Sequence, residues 1–291
     1  MSVAKGGEKR PVLVTGASSG LGLETAVYLA EQGFEVHATM RDLSRRGRLD
    51  AAAAQRRVSL NVLRLDITDK ALIESAVDEV IGRSGGIYGL VNNAGMIMQG
   101  YFEDVTEAEM RRVFETNIFG TMAVTRAVIP HLRAARRGRI VFLSSAAVRA
   151  AGPGSSAYCA SKCAVEGFGE SLALEMAPFG VKVSLIQPGF IKTNLFGRNH
   201  TVAQGATDPD SLYYQWFQRL EEWGRREADA SPARPVDVAK VIHKALSSRR
   251  PKLRYVVRFR AKVLASFRRH LPGELFERIW FRQLLRRLTE E

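Results

Sequence analysis

The sequence predicts an α/β fold: a doubly wound parallel sheet with helices on both faces. Three observations carry this. Short apolar runs of strand length alternate with stretches of helical periodicity from Pro11 to Ile186. The first run opens into a glycine-rich turn, with a helix and a second run following within about 30 residues, which is one βαβ unit. Polar clusters recur at the carboxyl ends of the runs, where parallel sheets hold ligands. With 291 residues, 46% hydrophobic and 25% charged, nothing requires more than one large domain.

Taken in order, the first ten residues are polar and are expected to be loose. Pro11-Val12-Leu13-Val14 is a buried-strand run that leads into Thr15-Gly16-Ala17-Ser18-Ser19-Gly20-Leu21-Gly22. A helix over 20–32 stops at Gly33, and its first amides and positive dipole suit a phosphate. The glycine spacing is G-x-x-x-G-x-G. Residues 34–39 form the second strand and 58–65 the third, closed by Asp66. A helix over 70–81 is opened by Thr68 or Asp69. The fourth strand, 87–91, ends in Asn92-Asn93-Ala94-Gly95. Thr106 and Glu109 make a capping box for a long helix to about Arg136, bent near Pro130. The fifth strand covers 140–143, the next helix 155–176, and the sixth strand 181–186, which runs into Gln187-Pro188-Gly189.

The chemistry concentrates between Ser145 and Lys162. Tyr158 and Lys162 are four apart, so on a helix they share a face. An ammonium about 4 Å from the phenol, at an effective dielectric near 20, contributes about 4 kcal/mol. That is roughly 3 pKa units off a group that normally titrates near 10. Tyr158 is therefore expected to act as a general acid or base at neutral pH, with Ser145 hydrogen-bonding the same substrate oxygen. Cys159 and Cys163 lie one turn apart on this helix and are expected to be free thiols in a reducing compartment.

These motifs together resemble one family. Thr15–Gly22 as T-G-A-S-S-G-L-G, N-N-A-G at 92–95, Asn117 in the long helix, Ser145 ahead of Tyr158-x-x-x-Lys162, and Pro188-Gly189 followed by Thr193 are similar to the classical short-chain dehydrogenases/reductases. The likeness spans 11–193 and continues more weakly to Leu246 through Pro235-Val236-Asp237-Val238-Ala239. It implies a Rossmann-like fold and an NAD(P)-dependent oxidoreductase acting on CH–OH groups. It also implies that Ser145, Tyr158 and Lys162 are catalytic, with Asn117 supporting a proton-relay water through the helix backbone. Gly16, Ser18, Gly20 and Gly22 would shape the pyrophosphate loop, Asp66 meet the adenine, Asn93 the ribose and Thr193 the nicotinamide carboxamide. Further implied cofactor contacts are Ser19, Leu21, Ile67, Ala94, Gly95, Tyr158, Lys162, Pro188 and Gly189. The alternative is a dinucleotide-binding regulatory or scaffold protein without turnover, and the complete Ser145, Tyr158 and Lys162 set favours the enzyme.

At the second strand's tip, Arg41 precedes Asp42. A basic residue there accommodates the 2′-phosphate of NADP, whereas an acid binds the free diol of NAD. Arg41 favours NADP, with NAD as the alternative if Asp42 takes the diol. The segment 194–230, with Leu195, Phe196, Leu212, Tyr213, Tyr214, Trp216, Phe217, Leu220 and Trp223, is expected to form a helical lid that suits a lipophilic substrate. The run Ala38–Leu43 with Gly47-Arg48-Leu49 is similar to the branch containing 17β-hydroxysteroid and retinol dehydrogenases. That likeness implies steroid, retinoid or long-chain alcohols and ketones.

The organisation expected is a catalytic domain over 11–258 and a basic extension over 259–291. Net charge is +13, and the last 45 residues hold thirteen Lys or Arg against four Glu. The pI is about 10.1. No zinc spacing or nucleic-acid signature accompanies this charge, so nucleic acid is not an expected partner. After a last strand at 253–257, short amphipathic helices are expected at 261–270 and 272–288. In the second, Leu275, Phe276, Ile279, Trp280, Leu284 and Leu288 alternate with arginines, which suits either docking on the core or peripheral contact with an anionic membrane. No apolar run is long enough to span a bilayer and no signal peptide is visible, so a cytoplasmic protein, as a homodimer without a metal, is expected.

Overall fold

The computed structural model describes residues 10–191, 200–257, 266–268 and 270–289. Along the chain run β1 (Pro11–Val14), α1 (Gly20–Glu31), β2 (Glu35–Met40), α2 (Gly47–Gln55), β3 (Asn61–Arg64), α3 (Lys70–Ser84), β4 (Gly89–Asn92) and β5 (Ile97–Gln99). There follow α4 (Glu107–Phe114), α5 (Thr121–Ala134), β6 (Gly138–Leu143), α6 (Ser156–Met176), β7 (Val181–Pro188), β8 (His200–Val202), α7 (Tyr214–Asp229), α8 (Pro235–Ser247), β9 (Arg254–Val257) and α9 (Gly273–Thr289).

A parallel strand covered on both faces needs an unbroken apolar run, and β1, β4, β6 and β7 supply it. They form the centre of a seven-stranded sheet of order β3-β2-β1-β4-β6-β7-β9. Every adjacent pair is parallel. One face packs Val14, Val36, Val141 and Ile186 against Val27 of α1 and Ile242 of α8. The other packs Leu13, Leu90, Phe142 and Leu185 against Val77 of α3, Val128 of α5 and Leu172 of α6. The strand order reverses at β1 and β4, so the two halves diverge there and leave a crevice at their carboxyl ends.

Two expectations are corrected. The long helix starts at its capping box, with the Thr106 and Glu109 bonds both present, but its interruption is a widened π turn at Glu115–Gly120 and not Pro130, which α5 accommodates. Close packing sets the place: a Cβ on Gly120 would sit 2.7 Å from the Ile67 carbonyl oxygen. Such turns re-aim side chains, and this one carries Asn117. The segment 194–230 is not a continuous helical lid either. Among the described residues it contains β8, which pairs in parallel with β5 as a separate two-stranded sheet, then a 3₁₀ turn at Gly205–Thr207, and its α-helix starts at Tyr214. Three-residue strands are too short to leave a periodic signal. Leu195 and Phe196 lie outside the described residues, as do 261–265 and 269 of the first expected C-terminal helix.

Candidate active site

The loops that follow β1 and β4 are built as one unit. Thr15 donates its backbone N–H to Val91 O at 3.0 Å, while its hydroxyl accepts from Asn93 N at 3.0 Å and Ala94 N at 2.9 Å. Asn93 returns its side-chain amide to Thr15 O at 2.8 Å and Gly16 O at 3.1 Å. Space is then too small for side chains. Gly16 has φ +71°, and a Cβ there would lie 2.9 Å from Ala94 Cα. A Cβ on Gly22 would lie 2.2 Å from Gly16 O, so α1 can approach the turn only as glycine. Ser19 is the N-cap of α1 but makes no side-chain capping bond, which leaves the first amides of the helix available to an anion. Ser18 and Leu21 are half-buried beside them and Gly20, at φ +57°, is exposed. The donor set fits a dinucleotide pyrophosphate.

At the carboxyl end of β6, Ser145 caps a short 3₁₀ turn by accepting from Ala147 N at 3.1 Å. The Ser145 side chain also acts on the Tyr158 phenol, in the sense that favours its charged form. Lys162, 7% exposed, donates from Nζ to Leu143 O at 2.8 Å. This corrects the expected effect of the lysine on the tyrosine. Nζ is 5.9 Å from the Tyr158 ring centroid and is committed to the strand carbonyl. Burial pushes the phenol up to about 12, with the Ser145 side chain acting in the opposite sense. Burial likewise lowers Lys162 to about 8.

Asn117, 1% exposed, accepts from Met96 N at 2.9 Å and donates to Met96 O at 3.0 Å. It donates also to Ser161 Oγ at 3.0 Å, and Ser161 in turn donates to Tyr158 O at 2.7 Å. The π turn is thereby tied to α6 between Tyr158 and Lys162. Gly95 fits where a Cβ would stand 3.1 Å from Asn117 Oδ1 and 3.5 Å from Lys162 Nζ. Asn117, Ser145, Tyr158, Lys162 and Gly95 are therefore brought to one place.

Other expected residues line the same edge of the sheet. Arg41 is exposed just past β2, and Asp42 accepts from Ser44 N at 3.0 Å and Ser44 Oγ at 2.6 Å, bonds that hold its carboxyl below the usual range. Asp66 makes a similar turn with Thr68, accepting from its N–H at 3.0 Å and its hydroxyl at 2.8 Å. Ile67 is buried against Gly120. Pro188 ends β7, and Gly189 N donates to Val257 O at 3.3 Å. Thr193 lies outside the described residues. Cys159 and Cys163 are both free thiols.

Several residues were not singled out by sequence reasoning. Besides Thr15, Met96 and Ser161, a chain runs behind the site from Arg149 through Gln187 (3.4 Å) and Glu166 (2.8 Å) to Arg254 (2.8 Å). Arg268 donates to Arg149 O, and Trp280 of α9 donates to Ala151 O at 3.0 Å. The stretch between Ser145 and Tyr158 thus rests on the C-terminal segment. Of the apolar residues expected in the lid, Phe217 and Leu220 are buried, Tyr213 stacks on Tyr101 at 4.8 Å, and Trp223 meets Phe190 edge-on. Leu212 and Trp216 are exposed.

Residues 10–202 match the family model described as short chain dehydrogenase. The chain belongs to the short-chain dehydrogenase family. This short-chain dehydrogenase is 38% identical over 279 residues to retinol dehydrogenase 8 of Bos taurus, covering 92% of this chain and 88% of that protein. It is 35% identical over 255 residues to human 17-beta-hydroxysteroid dehydrogenase type 1, covering 84% and 76% respectively. A solved short-chain dehydrogenase from Streptomyces avermitilis superposes with a TM-score of 0.80 at 32% identity, over 97% of this chain and 99% of that one. The protein is an oxidoreductase acting on CH–OH groups with a nicotinamide dinucleotide, NAD or NADP.

Lys162 gives a stability test. Its folded pKa of about 8 lies below the usual lysine value of 10.5, so the fold disfavours the charged form and the full penalty, about 3 kcal/mol, applies below pH 8. Wild-type stability should therefore rise from pH 8 towards 10. Lys162→Met should be about 1–2 kcal/mol more stable than wild type at pH 7 after losing the Leu143 bond, and should lack that rise. Urea unfolding at several pH values measures both; a Met variant less stable than wild type at pH 7 contradicts the assignment.

Proposed function

We propose that this short-chain dehydrogenase uses NADP(H) to interconvert a lipophilic secondary alcohol and ketone, or an aldehyde, of steroid, retinoid or long-chain type. The observation that carries the reading is the buried Lys162, whose Nζ donates to Leu143 O at 2.8 Å and so holds the Tyr158 turn of α6 against the carboxyl end of β6, where Ser145 follows. Ser145 and the Tyr158 phenol together can hold one substrate oxygen, and Tyr158 moves the proton at that atom. A phenol pushed up to about 12 is protonated throughout the neutral range, which suits donation and hence reduction. Asn117 keeps Tyr158 and Lys162 in register through Ser161. The glycine loop would hold the pyrophosphate, with Asp66, Ile67, Asn93, Ala94, Gly95, Pro188, Gly189 and Thr193 along the remainder of the cofactor. Bound there, the nicotinamide supplies or takes up the hydride.

Arg41 supports NADP because Asp42 is committed to Ser44 and Arg45, the latter at 3.6 Å, and is poorly placed to hold a ribose diol as well. The substrate class is supported by the apolar wall of Tyr101, Tyr213 and Trp216 and by the named relatives. The reading includes a homodimer, for which the exposed Phe119 and Leu174 offer apolar surface, and a cytoplasmic protein with peripheral membrane contact through its basic C-terminus.

Tyr158→Phe removes the proton carrier and leaves the dinucleotide contacts. Turnover should fall at least about a hundredfold while NADPH affinity changes little, read by steady-state kinetics and fluorescence titration. Retention of a tenth of the wild-type rate on a confirmed substrate would overturn the role.

Arg41→Ala should weaken NADPH binding by about 1.5–3 kcal/mol and leave NADH binding nearly unchanged. A wild type that binds NADH more tightly than NADPH rules out the proposed preference.

A further inference from the structure

The C-terminal helix uses its apolar residues in two directions. Phe276 and Leu284 are buried, and Trp280 reaches Ala151 O, so these three mark the docked side of α9. At 100° per residue, Arg278 and Arg282 point the opposite way, and Leu275 and Ile279 flank them. Those four side chains lie on one open surface with Gln283 and Arg286. Leu275 is 43% exposed and Ile279 53%, with Phe281 and Leu285 exposed alongside. A helix whose outer side faces only water carries mixed charged residues there. This side alternates aliphatics with arginines, and the only acids of the helix, Glu274 and Glu277, are in its first two turns.

We propose that this outward face of α9 binds an anionic lipid surface, with Leu275 and Ile279 entering the headgroup boundary and Arg278 and Arg282 meeting lipid phosphates. Charge complementarity selects this occupant. The chain carries +13, and the last 45 residues hold thirteen cationic side chains against four acidic ones. A second copy presenting the same face would repel it, whereas an anionic bilayer supplies both negative charge and an apolar layer. Arg278 and Arg282 have no carboxylate partner among the described residues, so they are not already neutralised. Docking through Trp280 and Arg268 sets α9 itself against the stretch from Arg149 to Ala151, so a bilayer on its outward face would lie one helix away from that stretch. The idea deepens the proposed function by naming where a lipophilic substrate would be drawn from, but its test reads binding and not turnover.

The full chain is sedimented with phosphatidylcholine vesicles, with and without one third phosphatidylglycerol, at low and moderate salt. Two variants are compared: Leu275→Ser with Ile279→Ser, and Arg278→Ser with Arg282→Ser. These side chains are exposed and apart from the catalytic groups, and unchanged melting and NADPH binding verify the fold. Wild type should sediment with the anionic vesicles only and stay partly bound at moderate salt. The arginine pair should weaken binding about fivefold per residue, and the aliphatic pair should make what remains fully salt-reversible. Failure of wild type to sediment overturns the proposal, as does equal sedimentation of wild type and both variants. Self-association lost in the aliphatic variant, or duplex DNA binding lost in the arginine variant, without vesicle binding, would assign the face to a second copy or to nucleic acid instead.

Discussion

The buried ammonium of Lys162, held by the Leu143 carbonyl, is the constraint around which this end of the molecule is arranged. A cation that is 7% exposed has little water to solvate it, so the backbone must. That bond draws α6 against the end of β6 and fixes where Tyr158, one turn earlier, meets Ser145. The π turn then has to bring Asn117 close without covering Lys162. It does so by bonding Met96 on one side and Ser161 on the other, over a glycine at 95. The Asn117 amide, the Ser161 hydroxyl and the Lys162 ammonium are each bonded to a neighbour, so this part of the arrangement is set before any ligand arrives.

Much of this was legible in the sequence because it follows from local pattern. Apolar runs of strand length, the Gly33 stop and the Thr106 capping box each act over a few residues, and the structure follows them with shifts at the ends. Family resemblance supplied the positions of Ser145, Tyr158 and Lys162, and the structure places them together at the end of β6. What escaped depends on contacts distant in sequence. Pro130 is the strongest local breaker in its helix, yet the widened turn arose at Glu115–Gly120 because Gly120 packs against Ile67. The three-residue strands β5 and β8 pair across about a hundred residues and have no periodicity to read. The effect of Lys162 on Tyr158 was misjudged for a similar reason. Sequence spacing gives the shared helix face but not the burial, and burial is the largest influence on both groups.

The C-terminal segment shows how one amphipathic pattern can hide two surfaces. A stripe of Leu275, Phe276, Ile279, Trp280 and Leu284 reads as a single face, but the structure divides it. Phe276, Trp280 and Leu284 turn to the core, and Leu275 and Ile279 turn outward with the arginines. The tail is thus part of the scaffold of the stretch that separates Ser145 from Tyr158. Arg278 and Arg282 sit on the side of α9 that the scaffold does not use.

The central claim is that Ser145 and Tyr158 hold a lipophilic carbonyl oxygen while the carbon beside it is reduced by NADPH. It is tested most directly by incubating the protein with NADPH carrying deuterium at both nicotinamide C4 positions and a panel of steroid ketones, retinal and long-chain ketones, in ordinary water. Mass spectrometry of the products then reads the label. The account expects at least one substrate to yield an alcohol with a single deuterium on the carbinol carbon and a solvent proton on its oxygen. An alcohol formed without the deuterium, or no product from any of these carbonyls with either nicotinamide cofactor, would contradict it.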